Sequence, residues 1–368
     1  LVGSEMCIRD RDKGGNENWL LYQVDIETEE TKILTPFENV KVQVIEYNKH
    51  HPDEIVLAMN KENPRLFDVY RLDLKKGTIT LAAKNPGNIV DWLTDADLKV
   101  RAATAVSQEG GFDLLVRNSE TDQWEKVISW NPEDSFTSSP VSFTKDGKFL
   151  YLLDSRDANA ARLVTFDIAA AKVVDVLAQD PQYDVSEVMI NPDTYQVQAV
   201  AFYRERKHWQ ILDESISEDS EAIASLDDGD FRVYNRDNAD KVWLVGYTRD
   251  DGPVAYYAFN RETKGGTFLF YHQPQLAKYT LANVEPISYE ARDGLTIHGY
   301  ITYPPGKPHK NLPLVVNVHG GPWARDRWGF NPEVQWLANR GYACLLYTSD
   351  AADEGLGVDL GGRRIIKK

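Results

Sequence analysis

The sequence predicts a mainly β protein in which repeated antiparallel sheets precede a shorter α/β segment. Two sets of landmark residues recur with a common period over residues 12–280, which indicates a repeated structural unit. Residues 287–346 then alternate strand-like and helix-like patterns, which repeated sheets alone do not explain. An aromatic content of 11%, with 9 Trp and 18 Tyr, suits pleated sheets because rings pack well on them.

The first landmark is an Asp or Asn that ends a short strand and precedes a polar turn and another strand. It recurs at Asp25, Asp73, Asn118, Asp167 and Asn260, with gaps of 48, 45, 49 and 93 residues. The last gap is about twice the period, and Asp213 lies near its middle.

The second landmark is an Asp in a turn that leads into a strongly apolar strand. It recurs at Asp53, Asp95, Asp146 and Asp193, with gaps of 42, 51 and 47 residues. Periods of about 40–50 residues with several strands per repeat are typical of β-propeller blades, since one blade cannot bury both of its faces alone. We therefore predict about five to six blades, and an incomplete ring with N-terminal blades missing.

One segment, residues 213–231, departs from this pattern and predicts a short helix between two blades. Ser215 and Glu218 have the spacing of a capping box. Apolar residues follow at helical intervals, at Ile216, Ile223 and Leu226. Such a helix is either a gating or domain-contact element or a decorated loop.

The α/β segment begins with a predicted hairpin. Residues 287–306 alternate apolar and polar positions on both sides of Asp293-Gly294, a strong turn signal. Residues 312–318 then form a continuous apolar run, as expected for a strand buried on both faces.

A helix and a further strand complete the segment. Asn331 can cap this helix, with Pro332 in its first position. Val334, Leu337 and Ala338 give the helix an apolar face, Gly341 ends it, and residues 342–346 form the strand. This order of elements predicts the N-terminal part of an α/β-hydrolase domain over residues 287–346.

The tetrapeptide His319-Gly320-Gly321-Pro322 directly follows the predicted buried strand. In α/β-hydrolases a loop after the third strand supplies one backbone N–H of the oxyanion hole. Glycines suit such a loop because the backbone can approach the substrate without a Cβ. We expect His319 to orient the loop by hydrogen bonding rather than to act as a base. The alternative is a tight strand-to-helix turn without chemistry.

Residues 289–304 and 314–343, with the repeats before them, resemble the prolyl oligopeptidase family of serine peptidases. The branch is that of acylaminoacyl peptidases and bacterial dipeptidyl aminopeptidases, and the resemblance covers about residues 12–346. It implies acyl-enzyme chemistry by a Ser with Asp and His partners, and a propeller that restricts access to short peptides. It also implies that the backbone N–H of Gly321 enters the oxyanion hole, beside Gly320.

The sequence departs from the family pattern in one respect. It contains no G-x-S-x-G motif, so no residue is assigned as the triad Ser, Asp or His, and the chain itself is expected to be inactive. Two other functions stay open at this point. One is a non-catalytic propeller used for binding or scaffolding, and the other is an esterase of the same hydrolase fold.

Both ends of the chain differ from the rest. Residues 1–11 and 347–368 lack the apolar periodicity and resemble translated adapter sequence, so we expect them to lie outside the fold of a protein truncated at both ends. Disordered tails are the alternative.

Composition excludes several classes of partner. A net charge of −16 disfavours binding to nucleic acid or anionic membranes, and no apolar run approaches the ~18 residues of a membrane helix. Two cysteines, Cys7 and Cys344, exclude a disulfide framework and favour the cytoplasm over the periplasm without deciding between them. The seven histidines are scattered, with His50-His51 the only adjacent pair, so no metal and no cofactor are predicted. The oligomeric state is left open.

Overall fold

A computed structural model describes residues 6–12, 14–117, 123–318 and 325–347 of the chain. Its described residues form six antiparallel sheets in succession and then one mixed sheet. The first antiparallel sheet contains β1 (Met6–Arg11), β2 (Leu20–Asp25) and β3 (Thr31–Ile33). The second contains β4 (Val42–Glu46), β5 (Glu54–Asn63), β6 (Leu66–Asp73) and β7 (Thr78–Ala83). The third contains β8 (Ile89–Thr94), β9 (Val100–Val106), β10 (Phe112–Arg117) and β11 (Trp124–Trp130).

The later sheets continue the same meander. The fourth sheet contains β12 (Ser139–Phe143), β13 (Phe149–Asp154), β14 (Arg162–Asp167) and β15 (Lys172–Ala178). The fifth contains β16 (Val185–Ile190), β17 (Val197–Tyr203) and β18 (Lys207–Ile211). The sixth contains β19 (Asp230–Arg236), β20 (Val242–Thr248), β21 (Ala255–Asn260) and β22 (Gly265–Tyr271). These sheets are the predicted propeller blades, and the mainly β fold class is confirmed.

The mixed sheet follows the sixth blade and has the strand order β23-β24-β26-β25. Its strands are β23 (Val284–Glu290), β24 (Thr296–Thr302), β25 (Leu314–Asn317) and β26 (Ala343–Tyr347). Two α-helices, α1 (Ser217–Ala224) and α2 (Pro332–Asn339), and three 3₁₀ turns (Asp134–Phe136, Glu214–Ile216 and Leu276–Lys278) complete the described elements. The hairpin, helix and strands predicted for residues 287–346 are therefore present. Their assignment to a hydrolase domain remains a prediction.

The described residues group into two compact units. One comprises residues up to Gln179 with Ile190–Gln196, and the other comprises Asp180–Met189 and residues from Val197 onward. Within the first unit, β5 shows how blades are buried. Ile55, Leu57 and Met59 belong to the core shared with the first sheet. The alternate residues Val56 and Ala58 belong to the core shared with the third sheet. Both faces of this strand are thus covered, with the period of two that a strand requires.

The first set of landmark residues performs one local task. Asp25, Asp73, Asp167 and Asn260 each end a strand, and their side chains accept hydrogen bonds from backbone N–H groups two or three residues later. The bond from the Thr28 N–H, at 2.8 Å, helps to hold the pKa of Asp25 below its usual value. The repeat in the sequence therefore marks a repeated turn, which lies before the last strand of a sheet and is closed by a hydrogen bond to the Asp or Asn side chain. Asn118 lies outside the described residues.

The predicted helix of residues 213–231 is present, but its capping differs from the prediction. Asp213 rather than Ser215 accepts the capping bond, from the Ser215 N–H, and it caps the 3₁₀ turn that precedes α1. Ile216 and Ile223 are buried in the core of the fifth and sixth sheets, as their spacing predicts. The carboxylate of Asp219, 1% exposed, pairs with Arg261 at 2.9 Å and with Lys264 at 2.5 Å, so α1 is fastened to the turn after β21.

The N-terminal prediction differs from the structure. The sequence predicts that residues 1–11 lie outside the fold, yet Met6–Arg11 form β1, paired antiparallel with Leu20–Asp25. Ile8 is 8% exposed and packs in the core of the first two sheets. The physical reason is that an unpaired strand edge offers backbone donors and acceptors to any extended segment, whatever its origin. Residues 348–368 lie outside the described residues, and Tyr347 still belongs to β26.

Candidate active site

The predicted site residues His319, Gly320 and Gly321 lie outside the described residues. The structure describes the elements on either side of them. β25 ends at Asn317 and pairs in parallel with β26, with Leu314 opposite Ala343 and Asn317 opposite Leu346. The chain therefore enters the glycine segment from the carboxyl end of a parallel strand, which is where α/β sheets bind their ligands.

The return from the glycine segment follows the sequence prediction closely. The Asn331 side chain accepts hydrogen bonds from the N–H groups of Glu333 and Val334, and Pro332 occupies the first turn of α2. Gly341 follows the end of the helix with φ of 91°, a backbone conformation that favours glycine. The described elements are therefore β25, α2 and β26 in succession, with β25 and β26 parallel.

The burial predicted for residues 312–318 is wrong. β25 lies at the edge of the mixed sheet, and Leu314, Val316 and Val318 are 52%, 49% and 62% exposed. The apolar run belongs to a strand whose two faces would need covering layers. Among the described residues, nothing covers the face that carries these three side chains. The apolar pattern therefore predicts more burial than the strand has.

Past the glycine segment, Arg325 makes contacts that the sequence did not predict. Its guanidinium donates two hydrogen bonds to the fifth sheet, to the Tyr203 carbonyl at 2.5 Å and to the Arg204 carbonyl at 2.6 Å. The next carbonyl, that of Glu205, accepts a hydrogen bond from the Tyr300 hydroxyl at 2.8 Å. Three consecutive carbonyls of the β17–β18 turn thus bind residues of the α/β segment. Their separation of about a hundred residues from their partners explains why no local pattern reveals them.

Aromatic rings reinforce this contact. The Arg206 guanidinium lies 3.7 Å from the ring centroid of Trp328, and the Arg327 guanidinium lies 4.1 Å from that of Tyr203. The Trp328 indole N–H also donates to the Val284 carbonyl at 2.9 Å. Cation–π pairs of this kind add roughly 0.5–2 kcal/mol each, depending on burial.

A small cavity adjoins the same contact. It is lined by Glu205, Pro286, Ile287, His298, Gly299, Tyr300 and Arg325. Burial raises the pKa of the Tyr300 phenol, and the neighbouring Arg325 guanidinium offsets part of that rise. The phenol is therefore neutral at physiological pH and acts as the hydrogen-bond donor to Glu205.

A second group of hydrogen bonds involves helix α2 of the α/β segment. Gln335 of α2 is 6% exposed and sits among the residues predicted to be apolar. Its amide donates to the carbonyls of Asp250 and Ala282 and accepts from the Ala282 N–H. The Asp250 carboxylate accepts from the Val284 N–H at 2.7 Å. The segment that joins the sixth sheet to β23 is therefore hydrogen-bonded both to α2 and to the loop that follows β20.

No group of three or more His, Cys, Asp or Glu side chains among the described residues is placed to share a metal ion. No helix among them has the length and apolar character needed to cross a membrane.

Comparison with known proteins gives a consistent set of relatives, although no family model matches the chain. It is 39% identical over 342 residues to dipeptidyl aminopeptidase BIII of Pseudoxanthomonas mexicana, covering 91% of this chain and 49% of that protein. It is 25% identical over 371 aligned positions to dipeptidyl peptidase family member 6 of Caenorhabditis elegans, covering 91% of this chain and 50% of that protein. The chain thus spans about half the length of these two curated relatives.

Solved structures share the fold at low sequence identity. The acylaminoacyl peptidase of Pyrococcus horikoshii matches 95% of this chain and 58% of its own, with a TM-score of 0.59 and 14% identity. A puromycin hydrolase S511A mutant complexed with PGG matches 93% of this chain and 57% of its own, with a TM-score of 0.61 and 14% identity. These likenesses bear on the fold.

Proposed function

The chain belongs to the prolyl oligopeptidase family, and from that premise we propose that it is part of a serine peptidase that cleaves short peptides through an acyl-enzyme. Its relatives, a dipeptidyl aminopeptidase and a dipeptidyl peptidase family member, support this substrate class. The observation that supports the proposal is that β25, which pairs in parallel with β26, ends at Asn317, two residues before His319-Gly320-Gly321-Pro322 in the sequence.

In this proposal the glycine segment stabilises the transition state. When a nucleophile attacks a peptide carbonyl, negative charge develops on the carbonyl oxygen, and an N–H aimed at it lowers the barrier. The Gly321 N–H is the proposed donor, Gly320 leaves room for the substrate, and His319 orients the loop by hydrogen bonding. The antiparallel sheets restrict access to short peptides.

The chain itself is proposed to be inactive. Its 368 residues contain no G-x-S-x-G motif, and an oxyanion donor does no chemistry unless a nucleophile attacks the carbonyl. A fluorophosphonate probe should leave the purified chain unlabelled under conditions that label a known serine peptidase completely. Stoichiometric labelling of any of its serines would refute this part of the proposal.

The donor itself is tested in the longest open reading frame that contains this segment. Gly321→Pro removes the N–H, whereas Gly321→Ala keeps it and serves as the matched control. Loss of one oxyanion donor costs about 10²–10³ in kcat, so the proline variant should lose that much while the alanine variant loses far less. Circular dichroism checks the folding of both. A folded proline variant with near-normal kcat would show that Gly321 is only a turn residue.

A further inference from the structure

The loop that connects β16 to β17 uses its landmark Asp differently from an equivalent turn. Between β8 and β9, the landmark Asp95 closes its own turn by accepting hydrogen bonds from N–H groups two and four residues later. In residues 191–196, which we call the strap, the Asn191 side chain closes the turn and accepts from the N–H groups two and three residues later. The landmark carboxylate of the strap, Asp193, is therefore available to partners outside its own turn.

Those partners lie in the turn between β4 and β5. Lys49 precedes Asp193 by 144 residues, and its Nζ donates to the carboxylate at 2.7 Å. His50 Nε2 lies 3.4 Å from the other oxygen of the same carboxylate and 3.3 Å from the Pro192 carbonyl oxygen. Residues 190–196 accordingly group with the first compact unit.

Tyr195 of the strap has a backbone conformation that suits glycine. Its φ is 58°, in the left-handed region, which is strained for an aromatic residue. Leu98 has the same φ in the turn between β8 and β9, and its side chain is buried in the core. Such strain persists where the surrounding contacts offset it. The Tyr195 phenol oxygen accepts from the Asn48 amide at 3.4 Å, and the same amide donates to the Ala96 carbonyl at 3.0 Å.

The pKa of the Tyr195 phenol indicates where its ring lies. Burial raises this pKa, and the carboxylates of Glu46, Asp95 and Asp97 raise it further. The phenol is therefore neutral at physiological pH, and its ring lies near the ends of β4 and β8.

The contacts that hold the strap are electrostatic and partly open to solvent. The side chains of Asp193 and His50 are 48% and 41% exposed, whereas that of Lys49 is 17% exposed. Salt weakens ion pairs at exposed positions, because the Debye length falls from roughly 30 Å at 0.01 M to roughly 3 Å at 1 M. The backbone strain at Tyr195 also favours release. Loops held by few and exposed contacts are among the first parts of a fold to open.

We propose that the strap is a salt-sensitive cover, which Asp193 holds closed on Lys49 and His50 and which opens while the rest of the chain stays folded. In the closed state the Tyr195 ring covers the ends of β4 and β8. In the open state these ends and the Lys49 amine are accessible to solvent. This inference stands whether or not the chain is part of a peptidase.

The first test is chemical footprinting of the 368-residue chain, read by mass spectrometry at about 0.01 M and about 1 M salt. Acetylation reports the exposure of the Lys49 amine, and hydroxyl-radical oxidation reports that of the Tyr195 ring. Asp193→Asn keeps the size of the side chain and removes its charge. It should accelerate both reactions by about 3- to 10-fold at low salt. High salt should accelerate both in the unchanged chain by a similar factor, and should add little in the variant.

Asp53→Asn is the matched control. Asp53 is a landmark residue of similar exposure, 44%, and it pairs at 2.6 Å with Lys75 of its own sheet. This variant should leave the reactions at Lys49 and Tyr195 unchanged. Faster acetylation of Lys49 in Asp193→Asn without faster oxidation of Tyr195 would show an ordinary surface ion pair that holds no cover, and it would overturn the proposal. No change in either reaction would overturn it as well.

The second test exchanges the two charges. Lys49→Asp and Asp193→Lys should each accelerate the oxidation of Tyr195, and the double variant should return it to within about twofold of the unchanged chain. Circular dichroism checks that all three variants are folded. A folded double variant that oxidises as fast as the single variants would show that the ion pair does not hold the strap, and the proposal would fail.

Discussion

Gln335 offers the sharpest test of how the α/β segment is held. It lies on α2 between residues that the sequence identifies as apolar, yet its amide makes three hydrogen bonds to backbone groups far away in the chain. Two of them are with Ala282, which is 3% exposed, at 2.7 and 2.9 Å. The third reaches the Asp250 carbonyl at 3.0 Å. Gln335→Ala removes all three.

The size of the loss follows from these contacts. A neutral hydrogen bond contributes about 1 kcal/mol net, so three give about 3 kcal/mol. The buried Ala282 N–H and C=O would also lose their partners, which makes this figure a lower bound unless water enters. The change in apolar burial is small because the Gln335 side chain is mostly polar.

The assay must report on the second compact unit alone, since a chain with two units does not unfold in a single two-state transition. Urea unfolding followed by hydrogen exchange in peptides of β23–β26 satisfies this requirement. With a urea slope of about 1–3 kcal/mol per M, a loss of 3 kcal/mol shifts the midpoint by about 1–3 M. Trp336→Ala is the matched control, because Trp336 follows Gln335 on the same helix and is 55% exposed.

The control should change the midpoint by no more than about a quarter of the Gln335→Ala shift, since exposed positions contribute little. Equal shifts for the two variants would refute the reasoning, because they would show that helix α2 is held by general packing. A shift for Gln335→Ala below about 0.3 M would show that the three hydrogen bonds are replaced by water without cost.

Three further outcomes follow from the same structure. Asp219→Asn breaks a buried ion pair and should destabilise the sixth sheet by about 3 kcal/mol, measured by urea unfolding, with faster exchange in α1 as the accompanying sign. Val316→Lys should reduce aggregation of the chain in light scattering, whereas the same change at Val106, also exposed but on the interior strand β9, should not. Burial raises the pKa of Asp154, but the Arg156 guanidinium and other hydrogen bonds outweigh it and lower the pKa below the usual value. The stability from ionised Asp154 is therefore present above about pH 4 and is lost as the pH falls through the lowered pKa. The melting temperature of Asp154→Asn should accordingly fall less steeply than that of the unchanged chain as the pH is lowered below about 4.

Local features of the fold followed from the sequence because their causes are local. An Asp or Asn that ends a strand closes the next turn by itself, so Asp25 and Asp73 marked the blades correctly. Asn331 and Pro332 likewise began α2 where predicted, because capping needs only neighbouring N–H groups. Asp213 displaced Ser215 as the cap, since both residue types satisfy the same rule and the geometry of the preceding 3₁₀ turn decides between them.

The sequence by itself determined which residues alternate, turn and cap, and so it determined the succession of sheets and the start of helix α2. Tertiary structure alone decided which faces are covered and which distant polar groups meet. It left β25 exposed although its residues suit burial, because burial depends on a neighbouring layer. It joined Arg325 to the carbonyl oxygens of Tyr203 and Arg204, because backbone acceptors are present at every residue and no sequence pattern distinguishes the two that a folded chain brings within reach.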